Sequence, residues 1–292
     1  MLKDTANPAE IKQNVQVVKN WEHRPLFLTL AHHFYNELCG HARSISIGAL
    51  RNNQNRGLGT GITPLGFEVI ELLLDNTNGK RIPIDVKHMS KDARKSYYGL
   101  LETTYAQENI PVIASHGAAN GMRSIVEEDK TDYPERAHHF NNIAINFYDD
   151  EFVRIAKSNG IFGIQLDERR IGSPKAIRKS KIYFPNKRKQ LQKKSLLVWR
   201  QIEHVAEVLD SKGLFCWGIQ CIGSDFDGIV DPINGFWTAE NIKDLGEELL
   251  NRAREYLDDN RHNLQSFNQI SSEAVVERVL RLNALEFIRR TY

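Results

Sequence analysis

The chain has 292 residues, of which 41% are hydrophobic and 26% charged, an ordinary globular composition long enough for one large α/β domain or two small ones. A formal net charge of +2 gives no ground for a nucleic-acid partner, and no run of about 18 apolar residues is present to form a transmembrane helix. Three cysteines, Cys39, Cys216 and Cys221, make no CxxC pair and read as reduced core thiols.

Residues 1–22 are polar, with Asn7-Pro8-Ala9-Glu10 as a helix start and Ile11, Val15 and Val18 as a modest apolar stripe. The first five residues lack the apolar core of a signal peptide, so the chain as given is expected in the cytoplasm. Residues 25–31 read as a buried strand running into His32 and His33. Residues 36–63 hold much Gly, Asn and Arg and read as a long loop of the kind that borders an active site. Thr63-Pro64 then opens a helix that continues to Leu74.

Residues 81–88 and 110–116 are short β-branched runs, each ending in a histidine, with helical composition between them. That alternation predicts parallel strands joined by crossover helices. Residues 120–142 are polar and weakly periodic, without a legible role. Residues 149–158 form an amphipathic pattern closed by Asn159-Gly160, a C-cap signal. The next strand is Ile161-Phe162-Gly163-Ile164-Gln165-Leu166.

From Lys175 to Lys194 there are nine Lys or Arg and no acid, interrupted by Ile182-Tyr183-Phe184-Pro185. Such a run reads as a solvated loop or helix face before it reads as a polyanion site. Residues 195–211 are helical. Residues 215–223 read as a fifth strand, in which Cys216 and Cys221 point to opposite faces and argue against a mutual disulfide. It leads into Ser224-Asp225-Phe226-Asp227-Gly228, and residues 238–258 and 272–290 are closing helices.

Four of five strands thus end in His or Asp. In a (β/α) barrel the carboxyl ends of the strands surround one mouth, so His32, His88, His116 and Asp225 are candidates for one metal or acid-base site. Read singly, each histidine is more often a strand-end ring bonded to backbone than a metal ligand. Five strands do not close an eight-stranded barrel, which usually takes about 250 residues. The expected fold is therefore α/β, of the (β/α)8 TIM-barrel type, incomplete, with about five parallel strands in this chain. The expected organisation is a single domain over 1–292. It comprises a helical segment at 1–22, barrel units at 23–235 with insertions at 120–142 and 172–194, and C-terminal helices at 236–292.

Several motifs, in order, resemble the renal or membrane dipeptidase family of zinc-dependent dipeptidases. Leu28-Thr29-Leu30-Ala31-His32 resembles its L-T-L-T-H strand, and Gly61-Ile62-Thr63-Pro64-Leu65-Gly66 its G-L-T-P-F-G helix start. Ile84-Asp85-Val86-Lys87-His88-Met89-Ser90 is similar to D-L-S-H-x-S, and Pro111-Val112-Ile113-Ala114-Ser115-His116-Gly117 to P-V-I-x-S-H-S. Gly223-Ser224-Asp225-Phe226-Asp227-Gly228 matches G-S-D-F-D-G, and Arg281-Leu282-Asn283-Ala284-Leu285 is a weakened G-G-N-F-L.

The resemblance implies a metal-dependent hydrolase barrel with two zinc ions, His88 and His116 as ligands, Asp225 as general acid/base and His32 at the substrate and oxyanion. Asp227 and Arg123 are carried as further substrate contacts. Three family features have no counterpart. No H-x-D occurs, the glutamate that bridges the zincs is not found, and the arginine for the dipeptide carboxylate is missing at its place, with Arg123 a distant substitute. The chain also begins at what resembles the family's fourth strand.

Three readings follow: a dipeptide or small-amide hydrolase, a catalytically impaired or non-catalytic relative acting in binding or assembly, and a one-metal hydrolase using His88, His116 and Asp225. The expected partner is a small peptide substrate. Exposed sheet edges further predict homo-oligomerisation or association with the absent N-terminal strands.

Overall fold

The computed structural model describes residues 7–45, 53–77, 80–181 and 186–292. The apolar interruption of the basic run, residues 182–185, lies outside them, as do residues 1–6 and the middle of the loop at 46–52. The fold is α/β, with a parallel five-stranded sheet in the order β1 (Leu28–Thr29), β2 (Ile84–Asp85), β3 (Ile113–Gly117), β4 (Ile161–Ile164) and β5 (Gln220–Ile222). All five expected strands are present, each shorter than its apolar run. Pro25, Pro83 and Pro111 stand just ahead of the first three strands, and a proline has no N–H to extend a ladder.

The chain divides into two compact units, residues 1–114 with 291–292 and residues 115–290. In the first, α1 (Pro8–Lys19), α2 (Pro64–Leu74) and α3 (Lys91–Thr103) open on Asn7, Thr63 and Ser90. Each of these side chains accepts a backbone N–H of the first turn, which satisfies donors the helix cannot. The Lys19 ammonium, at the end of α1, donates to the Leu72 and Asp75 carbonyls at 2.5 and 2.8 Å and so ties α1 to the end of α2. Ile70, Leu73, Leu74, Ile82, Ile84 and Val86 are fully buried between helix and strand, each contributing about 1.5–3 kcal/mol. Leu28 stands opposite Ile84, Thr29 opposite Asp85, and Asp85 opposite Ile113.

In the second unit β4 pairs with β5 from Phe162–Gln220 to Ile164–Ile222, and Gln165 N donates to the Gly117 carbonyl at 2.8 Å. A Cβ on Gly163 would lie 2.0 Å from the Ser115 oxygen, and one on Gly223 2.1 Å from the same atom. Glycine is what lets these strands approach. Phe147 and Phe152 meet the Phe162 ring edge-on at 5.5 and 4.9 Å, forming the core beneath the strands. Around it run α4 (Asp149–Lys157), α5 (Glu168–Ile171), α6 (Pro174–Ser180), α7 (Lys187–Asp210), α8 (Ile242–Asn260) and α9 (Ser272–Glu277). A π-helical turn, Arg278–Leu282, then leads into α10 (Asn283–Thr291).

Two expectations need correction. Residues 215–218 are a turn, not the start of β5, because Asn268 satisfies them. Its Oδ1 accepts from Cys216 N at 3.1 Å, and its carbonyl accepts the Trp217 indole N–H at 2.9 Å. The opposite-face reading of Cys216 and Cys221 therefore loses its strand. All three cysteines are nonetheless free thiols, and burial pushes Cys39 and Cys221 up to about 12. Helix α7 also begins eight residues before the expected start at 195, because Asn186 caps it and accepts from Lys189 N at 3.0 Å. Part of the basic run is thus an exposed helix face. Lys194 is the exception, buried against Glu168 at 2.6 Å.

Residues 120–142, which carried no legible role, are pinned to the second unit. Ile125 and Phe140 enter its core, and the Asp150 carboxylate accepts from Ile125 N and Ser124 Oγ.

Candidate functional site

Chemistry-bearing residues gather at strand ends within each unit. In the first, the chain leaves β1 through buried Leu30 and Ala31 and presents His32 and His33. Their ring centroids are 3.9 Å apart, and the His88 ring lies 4.6 Å from His32 and 5.1 Å from His33. His88 has a left-handed backbone, φ 67°, which a bulky residue adopts only when its surroundings impose it.

The surroundings are visible. Asp85, fully buried, accepts the Thr29 hydroxyl on Oδ2 at 2.8 Å and Lys87 N on Oδ1 at 3.0 Å, and the His88 carbonyl accepts Ala42 N at 2.8 Å. The His33 ring is fixed through Nδ1, 2.7 Å from Ser44 Oγ. Gln54, with no exposed surface, donates to both Ser44 Oγ and the His33 carbonyl and accepts Ile45 N.

In the second unit β5 delivers Asp225, also left-handed at φ 60°. Its Oδ2 accepts the Gln165 amide at 2.8 Å and stands 3.7 Å from His116 Nε2. The His116 Nδ1 is engaged with Ser115 Oγ at 2.9 Å. Gly228 N donates to the Asp225 carbonyl at 2.9 Å, and a Cβ on Gly228 would lie 2.6 Å from Asp225 Oδ1, so Gly228 makes room for the carboxylate. Burial pulls the nearby Arg170 guanidinium down, opposed by the Asp167 and Asp225 carboxylates.

The structure therefore brings His32 together with His88, and His116 together with Asp225. Asp227 is exposed. Arg123 is committed elsewhere, its guanidinium on Asp132 and Glu127 of its own loop and its backbone N on the Lys130 carbonyl. Asn283, in the weakened closing motif, is buried and donates to the Trp217 and Gln220 carbonyls, holding the entry to β5.

Gln165, Ser44 and Gln54 were not singled out by sequence. A polar residue at the carboxyl end of the apolar run Ile161-Phe162-Gly163-Ile164 is the one signal that marks Gln165.

Parallel strands with histidines and a carboxylate at their carboxyl ends define a protein of the metal-dependent-hydrolase type of α/β fold. The family model for membrane dipeptidase, peptidase family M19, matches residues 5–260, and the chain belongs to that family. The resemblance carried by the motifs is thereby confirmed.

Among solved structures, the probable dipeptidase PvdM from Pseudomonas aeruginosa is 17% identical, with a TM-score of 0.53, over 98% of this chain and 66% of its own. A metallopeptidase from Rhodobacter sphaeroides, liganded with a phosphinate mimic of the dipeptide L-Ala-D-Ala, is 16% identical, with a TM-score of 0.46, over 80% of this chain and 48% of its own. At such identity PvdM speaks for the fold alone. The chain spans about half to two thirds of the length of these structures. It has no match among curated protein sequences. No helix among the described residues is long and apolar enough to cross a membrane.

Proposed function

We propose that the chain is a metal-dependent hydrolase of a dipeptide or similar small amide, with Asp225 as the proton-transfer group. The observation that carries this is the Asp225 carboxylate, held in a left-handed turn after β5 by an amide donor and facing the His116 imidazole.

Imidazole nitrogen and carboxylate oxygen are donors that zinc accepts. His116 has the support of a metal ligand, since Ser115 Oγ engages Nδ1, and in metal sites such a partner fixes the ring with its other nitrogen toward the ion. As individual ligands the residues fit zinc. Among the described residues, however, no group of three or more His, Cys, Asp or Glu side chains is arranged to hold an ion. His88 in the first unit and His116 in the second are each of a residue type that would hold zinc, which when bound would supply a water acidic enough to attack at neutral pH.

Asp225 takes the proton of the attacking water and returns it to the leaving amine, a role worth roughly 10²–10⁴-fold in rate. His32 donates toward the developing oxyanion. Asp227, exposed beside this turn, is kept as a substrate contact. Arg123 serves its own loop, so its place as carboxylate anchor has no support in the geometry.

The second reading, a non-catalytic relative, is favoured by the missing three-donor group and the missing H-x-D. One experiment separates them: hydrolysis of L-Ala-L-Ala and L-Ala-D-Ala by the purified chain in trace zinc, with Asp225→Asn beside it. Turnover in the wild type, reduced about 10²–10⁴-fold in the variant, supports the hydrolase. No turnover of either dipeptide supports the binding role.

A further inference from the structure

We infer that the second unit carries a binding site for a small carboxylic acid with an apolar body, in the cavity bordered by α6 and the turn that follows β4. None of its residues enters the reaction proposed for Asp225, and its binding does not depend on that reading.

The basic run supplies part of the wall. Surface lysines in such a run make no site by themselves. In the fold, however, the start of the run borders a cavity of about 450 Å³, lined by Asn141, Arg169, Pro174, Ile177, Arg178 and Lys181 together with Gly172. That is within the roughly 300–1,000 Å³ of small-molecule pockets and far more than one inorganic ion fills. Three of the lining residues are cations, and among the described residues no carboxylate lines the cavity.

The cations are held differently. Arg169 donates through Nε and Nη2 to the Asp167 carboxylate at 3.2 and 2.8 Å, and Asp167 is buried, so the guanidinium is fixed before any ligand arrives. Arg178 and Lys181 are exposed and, among the described residues, enter no ion pair. The surrounding field has the same sign. The His139 carbonyl accepts Ser173 N at 3.0 Å just ahead of α6. Burial pulls the His139 ring down to about 4, and the charges that add to this, Arg200, His138, Arg136 and Lys179, are all positive.

Pro174 and Ile177 form the apolar part of the wall. Gly172 has φ −129°, which any residue adopts, so its backbone does not require glycine. A Cβ there would meet Ile177 Cγ1 at 3.1 Å, so the missing side chain leaves Ile177 its place in the wall. A carboxylate matches a guanidinium fork flanked by two further cations, and a branched apolar body matches Pro174 and Ile177. Phosphate would satisfy the cations and leave the apolar wall unused.

The test is calorimetric titration of the full chain with N-acetyl-L-leucine, with N-acetyl-L-leucinamide, which has the same body without the charge, and with inorganic phosphate, which has charge without the body. The acid is expected to bind about 10–100-fold more tightly than the amide, the span that a charge-assisted contact confers. It should also bind more tightly than phosphate. Arg178→Glu combined with Lys181→Glu should weaken the acid by at least about 10-fold. Both residues are exposed, so an unchanged thermal midpoint is expected to show the variant folded.

The Ile177 methyl resonance should move along the same binding curve, which places the acid in this cavity. Equal affinity for acid and amide, phosphate binding as tightly as the acid, or undiminished binding by the folded double variant would each overturn the proposal. So would an acid that binds without moving the Ile177 methyl, or one that does not bind at all.

Discussion

The two units place their reactive groups by the same device and support them by different means. In each, a short parallel strand ends and within three residues the backbone turns left-handed, at His88 after β2 and at Asp225 after β5. Among the described residues five non-glycines take positive φ, and two of these, Asn109 and Asn159, belong to the residue type that tolerates it best. His88 and Asp225 do so at the two candidate positions, where stored backbone strain is commonly found.

The supports differ in what they are made of. His88 and His33 lean on buried polar groups, Asp85, Ser44 and Gln54, each bonded several times over. The Gln165 amide is among the groups that hold Asp225, and Gly228 leaves room for its carboxylate. Support by a buried network couples placement to stability, because removing one member strands the others without water. At a carboxylate that does the chemistry, a change is expected to fall on rate before it falls on stability.

That contrast can be broken at four places. The largest effect is expected at Asp225→Asn, which should remove about 10²–10⁴-fold of dipeptide turnover while the thermal midpoint stays within a few degrees. Equal loss of activity and stability would show that Asp225 is structural. Next is Gln54→Leu, which takes the buried Gln54 amide away from Ser44 Oγ, the His33 carbonyl and Ile45 N. A loss of about 2–3 kcal/mol by denaturant titration is expected, and less than about 0.5 would mean that the network does not support the imidazoles.

Third is Gly163→Ala, whose Cβ meets the Ser115 oxygen at 2.0 Å and should cost about 1–3 kcal/mol. A neutral outcome would mean that β3 and β4 separate more easily than the packing implies.

The smallest effect concerns pH. Burial, with Arg200, His138, Arg136 and Lys179 nearby, pulls His139 down to about 4. The unfolded ring takes a proton near pH 6.5 while the folded ring stays neutral to about 4. Its contribution is therefore full above about pH 6.5 and is lost as pH falls toward 4. His139→Phe should flatten the stability curve between those limits, and an unchanged slope would assign the acid sensitivity to other groups.

What the sequence made legible was local. Five strands could be read because each apolar run is contiguous, and four of them end in His or Asp. Two helix starts of the first unit could be read because Asn7 and Thr63 each stand directly before a proline at the first helical position. That His32, His88, His116 and Asp225 are candidates for one site was read from their places at strand ends; the nearness of His116 to Asp225 was not.

What stayed hidden depends on partners far along the chain. The turn at 215–218 is set by Asn268, 52 residues beyond Cys216, and Gln165 acquires meaning only from Asp225, 60 residues later. Gln54 reads as one more polar residue in a polar loop until His33 and Ser44 are seen to close on it. The early start of α7 was obscured because Lys and Arg at its first turns carry no apolar periodicity.

The most direct measurement is zinc stoichiometry by elemental analysis on the purified chain after equilibration with trace zinc, with His88→Ala and His116→Ala as controls. Imidazole ligation predicts at least one tightly held zinc per chain, reduced in each variant. A chain that retains no zinc, or retains it equally in both variants, would contradict the assignment of His88 and His116 as ligands and leave the binding role as the better reading.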